Sequence, residues 1–346
     1  RPQTESRPLA RPFLQNYRLR LKRRRLLARA VRKRRQMKPV VDRTSAIEPG
    51  AILLFACVRN EAVRLPYFLS HYRKLGVDHF LIVDNGSDAG TVEQLRAAPD
   101  VSLWQTTASY KKARFGIDWL TWLMLRHGHD HWCLTVDADE LLIYPHHDTR
   151  PLPALTDWLD RSGVPSFGAM MLDLYPKGRL GDAHYEPGQN PVEVMPWFDR
   201  GNYTIRLQPR HGNLWIQGGV RARVFFDTSP RRAPTLNKIP LVRWNRRYCY
   251  VTSTHYVLPY ALNTVYATDG GEATSGILLH TKFLDTIVEK SKEEKSRREH
   301  FENSDLYETY YDRLIANPTL WCAQSSRFVS WRQLEGMGLM SRGGWT

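Results

Sequence analysis

The chain lacks any run of about eighteen apolar residues, so no stretch of it reads as a bilayer-spanning helix. Near its start there is no apolar segment of the kind a secretory signal peptide carries. Cysteine is scarce: Cys57, Cys133, Cys249 and Cys322 are the four, and none is spaced Cys-x-x-Cys, which argues against a cysteine-built zinc site. Cys57 and Cys133 fall inside apolar, strand-like runs, where buried free thiols are expected. That usage fits a reducing cytoplasm better than a secreted, disulfide-built domain. No internal repeat is visible. Acidic residues are nearly missing from residues 1–38, which hold fifteen Lys or Arg and one carboxylate, Glu5, a net of +14 against +15 for the whole chain. Residues 39–346 are therefore close to neutral. The high isoelectric point describes an arm, whereas a nucleic-acid-binding protein would spread its basic residues over the folded body.

What is present is enough for a large core: 346 residues, 42% hydrophobic and 11% aromatic. The centre of the arm, Tyr17 to Arg35, mixes leucine and alanine with dense arginine and has no proline, so a helix is expected. Three uses stay open for it: an anionic membrane surface, packing on the body or on a second subunit of a homo-oligomer, and nucleic acid. Residues 39–50 read as a linker, and residues 51–346 as one catalytic domain in two halves, 51–178 and 179–346. The first half alternates strand and helix signals. Strands are expected at Ala51–Val58, His79–Asp84, Val101–Trp104 and Trp132–Val136, with helices at Leu65–Leu75, Thr91–Ala98 and Phe115–Arg126 between them. Such alternation predicts an α/β fold, a parallel sheet with helices on both faces. The second half changes character after Pro151. A helix near Leu152–Leu159 is followed by strand-like pieces at Phe167–Tyr175, Tyr203–Leu207, Leu214–Phe226, Tyr248–His255 and Gly276–His280. Charged helices at Asp285–Phe301 and Leu306–Ala316 come last.

The chemistry is concentrated at strand ends. Val136-Asp137-Ala138-Asp139-Glu140 follows an apolar run, so two carboxylates stand at the edge where ligands of open α/β sheets bind. Carboxylates at i and i+2 can share one hard cation whose remaining ligands are water and substrate phosphate. A solvated turn is the plainer alternative. The first strand ends in Val58-Arg59-Asn60-Glu61, polar residues for a nucleotide crevice or a helix start. The second ends in Val83-Asp84-Asn85-Gly86-Ser87-Asp88, a base or ribose contact or an Asx-turn.

In this order the three segments resemble glycosyltransferase family 2, of the GT-A fold, over about residues 51–178. Leu65 to Arg73 is similar to the first helix of a bacterial subgroup. The resemblance implies an inverting transferase with a nucleotide-sugar donor, a UDP-sugar favoured, a glycan or lipid-linked acceptor, and Mn²⁺ or Mg²⁺. It implies that Arg59, Asn60, Glu61, Asp84 and Asn85 hold the nucleoside. Asn85 is a departure, since many relatives carry a second Asp there. Arg114 and Asp118 open an apolar helix where the family often contacts the donor. Asp137 and Asp139 would meet ribose, metal and diphosphate. In Ile277-Leu278-Leu279-His280-Thr281-Lys282, His280 looks like the C-terminal metal ligand of many GT-A enzymes, and Lys282 would neutralise phosphate. An inverting enzyme needs a general base, for which His255, Glu272 and Asp173 are the candidates. The expected setting is cell-surface polysaccharide synthesis, with the protein cytoplasmic and peripheral at the inner membrane face. A nucleotidyltransferase is the other enzyme class open to paired carboxylates and a metal, but the glycine-rich phosphate cradle it would want is missing. A basic nucleic-acid-binding protein is the non-enzyme alternative.

Overall fold

A computed structural model describes residues 13–88, 90–209, 212–266, 273–288, 290–292 and 308–345. The strands in chain order are β1 (Lys38–Val41), β2 (Ile52–Val58), β3 (His79–Asp84), β4 (Val101–Gln105), β5 (Trp132–Thr135), β6 (Glu140–Ile143), β7 (Ser166–Asp173), β8 (Trp197–Asp199), β9 (Thr204–Gln208), β10 (Asn213–Gln217), β11 (Asn237–Arg243), β12 (Cys249–Thr252), β13 (Tyr256–Leu258), β14 (Ser275–His280) and β15 (Ser325–Arg327). Five helices matter for the site: α1 (Phe13–Lys33), α2 (Leu65–Leu75), α3 (Thr91–Ala97), α4 (Ile117–His127) and α5 (Leu152–Arg161).

Nine strands form one mixed sheet in the order β1-β4-β3-β2-β5-β11-β7-β14-β6. β4, β3, β2 and β5 run parallel. β11 is antiparallel to both β5 and β7, β14 is parallel to β7, and β6 closes the far edge antiparallel to β14. The α/β architecture expected from the alternating pattern is the one found.

The continuous apolar runs arise because both sheet faces are covered. Along β2, Ile52, Leu54, Ala56 and Val58 face one core with α2, α3 and α5. Leu53 and Phe55 face the other, under α4. In α2 the residues Leu65, Phe68, Leu69, Tyr72 and Leu75 are buried at helical spacing, and Gly76 ends the helix at φ 96°, a left-handed conformation glycine adopts without strain. Gly116 starts α4 at φ 76°, where a Cβ would come within 3.0 Å of Cys57. That close approach packs the loop before α4 onto the end of β2.

Residues 39–50 were expected to be a linker, yet their first part joins the sheet: β1 pairs antiparallel with β4. Strands β6 and β11 were not foreseen, and the expected strand Leu214–Phe226 is β10 followed by a helical turn at Arg221–Phe225. The expected helix Asp285–Phe301 falls largely outside the described residues. All four cysteines are free, and among the described residues no helix is long and apolar enough to cross a membrane.

The arm is docked on the body. Leu19, Leu26 and Leu27 of α1 pack against Cys249, Tyr256 and Leu258. Arg29 Nε lies 2.6 Å from Asp118 Oδ2, Trp119 donates to Gln36 at 3.0 Å, and the Arg34 guanidinium sits over Trp122. Arg18, Arg20, Arg24, Arg25 and Arg32 remain exposed on the outer face.

Candidate active site

Because β2, β3, β5, β7 and β14 share one direction, their C-terminal ends reach the same sheet edge. The antiparallel β11 brings its first residues there. At this edge lies a cavity of about 930 Å³. The turn between β5 and β6 carries Asp137 and Asp139. Asp139's backbone carbonyl accepts from the Thr281 amide at 2.7 Å and its hydroxyl at 3.0 Å, which fastens the turn to the end of β14.

Two polar chains meet at that point. In the first, His280 faces Asp173 across the parallel pair β14–β7 and Glu140 across the antiparallel pair β14–β6. Its Nε2 lies 3.3 Å from Asp139 Oδ2, and its Nδ1 lies 2.5 Å from Asp173 Oδ1. Arg221 grips Asp173 with two bonds, 2.7 and 2.8 Å. Burial pushes the Asp139 carboxyl up, but His280, Arg64 and Lys282 outweigh it and hold it well below the usual carboxylate range. Asp173 is also lowered, because Arg221 and His280 overcome its burial. His280 is raised: burial opposes its charge, and the two aspartates win.

The second chain is built on a residue with no obvious motif. Lys238, almost fully buried at the start of β11, donates to Glu140 and, at 3.1 Å, to Asp137. Glu140 also accepts from the Asp137 amide at 3.1 Å. Burial works against the Lys238 ammonium, yet Asp137 and Glu140 hold its pKa above the usual lysine range. Burial pushes Glu140 up to about 7, with Lys238 opposing. Asp137 keeps half of its side chain exposed to the cavity.

A divalent ion fits the first chain better than the aspartate pair. Asp139 offers a carboxylate oxygen, His280 an imidazole nitrogen beside it once an ion displaces the Nε2 proton, and Asp173 holds the other ring nitrogen, as carboxylates orient metal-bound histidines. Asp137 is engaged by Lys238 instead. Among the described residues no three His, Cys, Asp or Glu are placed as one ligand group, so the fit is to an ion that takes two protein donors and fills its shell from phosphate and water.

Arg59, Asn60, Glu61 and Asn85 line the cavity, largely braced by the protein itself. Arg59 donates to the carbonyls of Asn85 and Gly86 at 2.8 and 2.7 Å. Asn60, at φ 51°, accepts from the Asp88 amide at 2.8 Å. Glu61 takes Lys290 at 2.6 Å and Arg64 at 3.0 Å. Asn85 donates to the carbonyls of Thr106 and Ala108. Two expected donor contacts stand apart from the cavity wall. Asp84 has no exposed surface and accepts from the Ser87 hydroxyl, the Ser87 amide at 3.2 Å and Gln105 at 3.2 Å. Asp118 is likewise fully buried, between Arg29 and Arg114. Arg114 does reach the wall, braced by the carbonyls of Tyr250 and Val251 at 3.0 Å. From α1, Lys22 and Leu26 join the same wall.

Of the three candidate bases, Asp173 is occupied by Arg221 and His280. Glu272 lies outside the described residues. His255 lines the cavity. Its Nδ1 donates to the Asn237 carbonyl at 2.6 Å, which leaves Nε2 as the proton-free nitrogen of the neutral ring. Burial, aided by Lys238, holds His255 down at about 4. Lys282 lines the cavity as well, its ammonium 5.5 Å from the Tyr310 ring centre.

Sequence reasoning missed Lys238, Arg221, Arg64 and Lys290. The one available signal was Lys238, a lone charge opening the apolar run Ile239–Val242.

No protein-family model matches the chain, and no curated protein matches it. Among solved structures, it is similar to a 4-diphosphocytidyl-2C-methyl-D-erythritol synthase, with 18% identity, 42% of this chain and 67% of that one covered, and a TM-score of 0.25. A second is a putative glucose-1-phosphate thymidylyltransferase from Bacillus anthracis in complex with a sucrose, with 9% identity, 76% and 83% covered, and a TM-score of 0.29. At these identities and scores the likeness carries no functional argument.

Proposed function

We propose that the chain is an inverting, metal-dependent glycosyltransferase that moves a sugar from a nucleotide-sugar donor, a UDP-sugar favoured, to a glycan or lipid-linked acceptor. The observation that carries this reading is the Asp139–His280–Asp173 chain at the sheet edge, opening on a cavity lined by Lys and Arg. Asp139 and His280 would hold Mn²⁺ or Mg²⁺, which when bound offsets the charge that develops on a leaving diphosphate. Lys282 lends a further point charge to the phosphates. Arg59, Asn60, Glu61, Asn85 and Arg114 line the side of the cavity assigned to the nucleoside, and the half-exposed Asp137 faces the ribose. As the acceptor oxygen bonds to the anomeric carbon, the bond from that carbon to the diphosphate oxygen breaks through an oxocarbenium-like state. The hydroxyl proton passes to His255 Nε2, which is unprotonated at neutral pH. The exposed arginines of α1 would hold the protein against anionic lipid.

The test is a thermal-shift panel of UDP-, GDP-, CMP- and dTDP-sugars with and without Mn²⁺, followed by turnover. One nucleotide class should stabilise the protein only with metal, and Asp139→Asn should lose that response. No stabilisation by any nucleotide sugar would overturn the reading. Release of pyrophosphate from a nucleoside triphosphate and a sugar phosphate would replace it with a nucleotidyltransferase.

A further inference from the structure

The cavity carries more positive charge than a donor needs. Eleven Lys or Arg residues line it against four carboxylates, Glu61, Asp137, Asp139 and Glu140. Asp118 and Asp173, just behind the wall, answer two of those cations, Arg114 and Arg221. Four of the other nine are engaged as well. Arg64 and Lys290 meet Glu61, Lys238 meets Asp137 and Glu140, and Arg59 braces two turns. A diphosphate sugar and its accompanying divalent ion cancel each other's charge, so the donor leaves the surplus in place.

Part of the surplus sits on one distinct stretch of wall. Arg231 and Arg232 are adjacent and exposed, and both line the cavity. Their loop is stitched to β10: Gln217 donates to the carbonyls of Arg231, at 3.0 Å, and Ala233, and the Leu236 amide bonds the Ile216 carbonyl at 2.7 Å. β10 presents Trp215 to the same cavity, an aromatic face on which a sugar ring can stack. At its start, Asn213 donates to the His255 carbonyl at 2.9 Å. One continuous wall thus joins an aromatic surface, two guanidiniums and the imidazole assigned to take the acceptor's proton.

We propose that the acceptor is an anionic saccharide, with its sugar ring on Trp215 and its phosphate or carboxylate held by Arg231 and Arg232. Guanidinium forks bind such oxyanions with paired hydrogen bonds. This assignment rests on the transferase reading and adds to it the class of the second substrate. The anionic group has two sources, the diphosphate of a lipid-linked sugar or the phosphate of a soluble one.

The test is calorimetric titration of the full chain, saturated with UDP and Mn²⁺, with three probes: glucose 1-phosphate, prenyl-diphosphate-linked glucose and methyl glucoside. Both charged probes should bind at least about tenfold more tightly than the neutral one, weakening with salt as charge pairing at an open site does. The double variant Arg231→Gln, Arg232→Gln should lose that preference and keep its UDP affinity. A larger gain for the prenyl probe assigns the lipid source, and equal gains assign the soluble one. Equal binding of charged and neutral probes by the wild type, or a double variant that keeps the preference, would overturn the proposal. So would a matching loss of UDP affinity, which would move the arginines to the donor. If the wild type binds no UDP, GDP, CDP or dTDP, the transferase reading fails. The same titration without nucleotide then shows directly whether the two arginines select charge.

Discussion

Asp84 and Asp118, like Asp137 and Asp139, read in the sequence as contacts for the donor, yet the fold treats the two pairs differently. Asp84 ends β3, Asp137 and Asp139 sit in the turn between β5 and β6, and Asp118 lies in the first turn of α4. The first pair has no exposed surface, and the fold supplies its hydrogen-bond donors: Ser87 and Gln105 for Asp84, two arginines for Asp118. The second pair reaches the cavity, with Asp137 half exposed and Asp139 about a quarter exposed. A carboxylate is left for a ligand when the chain stops short of satisfying it. That shortfall is set by the partners the fold brings up, some near in sequence, as Ser87 and Arg114 are, and some far, as Gln105 and Arg29 are.

The largest effect is expected where a charge is buried on the ligand side. Lys238→Met strips Glu140, which has no exposed surface, of its cation, and breaking a buried pair from one side costs roughly 3–5 kcal/mol. The loss should depend on pH. Glu140 is pushed up from 4.5 to about 7 by burial, so it holds a proton more readily folded than unfolded. Stability from this group falls as pH rises through that window. Asp139 and Asp173, both lowered, keep their charge across it. Denaturant melts of Lys238→Met should therefore show a smaller deficit near pH 5 than near pH 8. A deficit that does not change with pH would remove Glu140 as its cause.

Next comes Asp139→Asn. The side chain is partly exposed and His280 keeps its bond to Asp173, so the melting temperature should hardly move. Loss of a charged ligand should lower Mn²⁺-dependent turnover by at least about 100-fold. Turnover within a few-fold of wild type would place the metal elsewhere and erase the distinction between the two pairs.

How much of this could be read in the chain follows from how far each partner lies. β2, β3 and β5 are short apolar runs whose burial on two faces is written locally, and α2 shows its buried stripe at helical spacing. The strand ends followed directly, and so did the Asp137–Asp139 turn. β11 was hidden because Pro240 breaks the apolar run that Lys238 opens, and β6 because Glu140, a buried acid, looks like part of a solvated turn. The arm's use stayed open in the sequence for a related reason. Its charge density was plain, but Leu19, Leu26 and Leu27 could be given a partner only once β12 and β13 were placed beside α1. In the site, His280 was visible as a histidine at a strand end. That Asp173 holds its far nitrogen, and Arg221 holds Asp173, depends on contacts spanning 48 to 107 residues.

Asp118→Asn probes the closed pair from the side of the arm. It removes the charge shared by Arg29 of α1 and Arg114 of the cavity wall, at a cost of about 2 kcal/mol, less than for a sealed pair because Arg29 is partly exposed. Hydrogen exchange should quicken at Ala113, Arg114 and Phe115, and nucleotide affinity should drop with it, since Arg114 loses its anchor. Faster exchange with unchanged affinity would show that Arg114 serves only the fold.

The smallest effect is expected at Asp84, and it is the sharpest test of the contrast. Asparagine can keep its oxygen at the Oδ2 position, accepting from the Ser87 amide and Gln105, and place its amide at the Oδ1 position, where the Ser87 hydroxyl then accepts instead of donating. It loses the charge and the bond donated by that hydroxyl. The net cost should be about 1 kcal/mol, the worth of one hydrogen bond. Because the carboxylate has no exposed surface, Asp84→Asn should leave nucleotide affinity within about twofold while Asp139→Asn abolishes the response to metal. A loss of about tenfold or more in nucleotide affinity at an unchanged melting temperature would mean that the turn opens and that Asp84 reaches the nucleoside. Burial in the free protein would then be no guide to which aspartates meet a ligand.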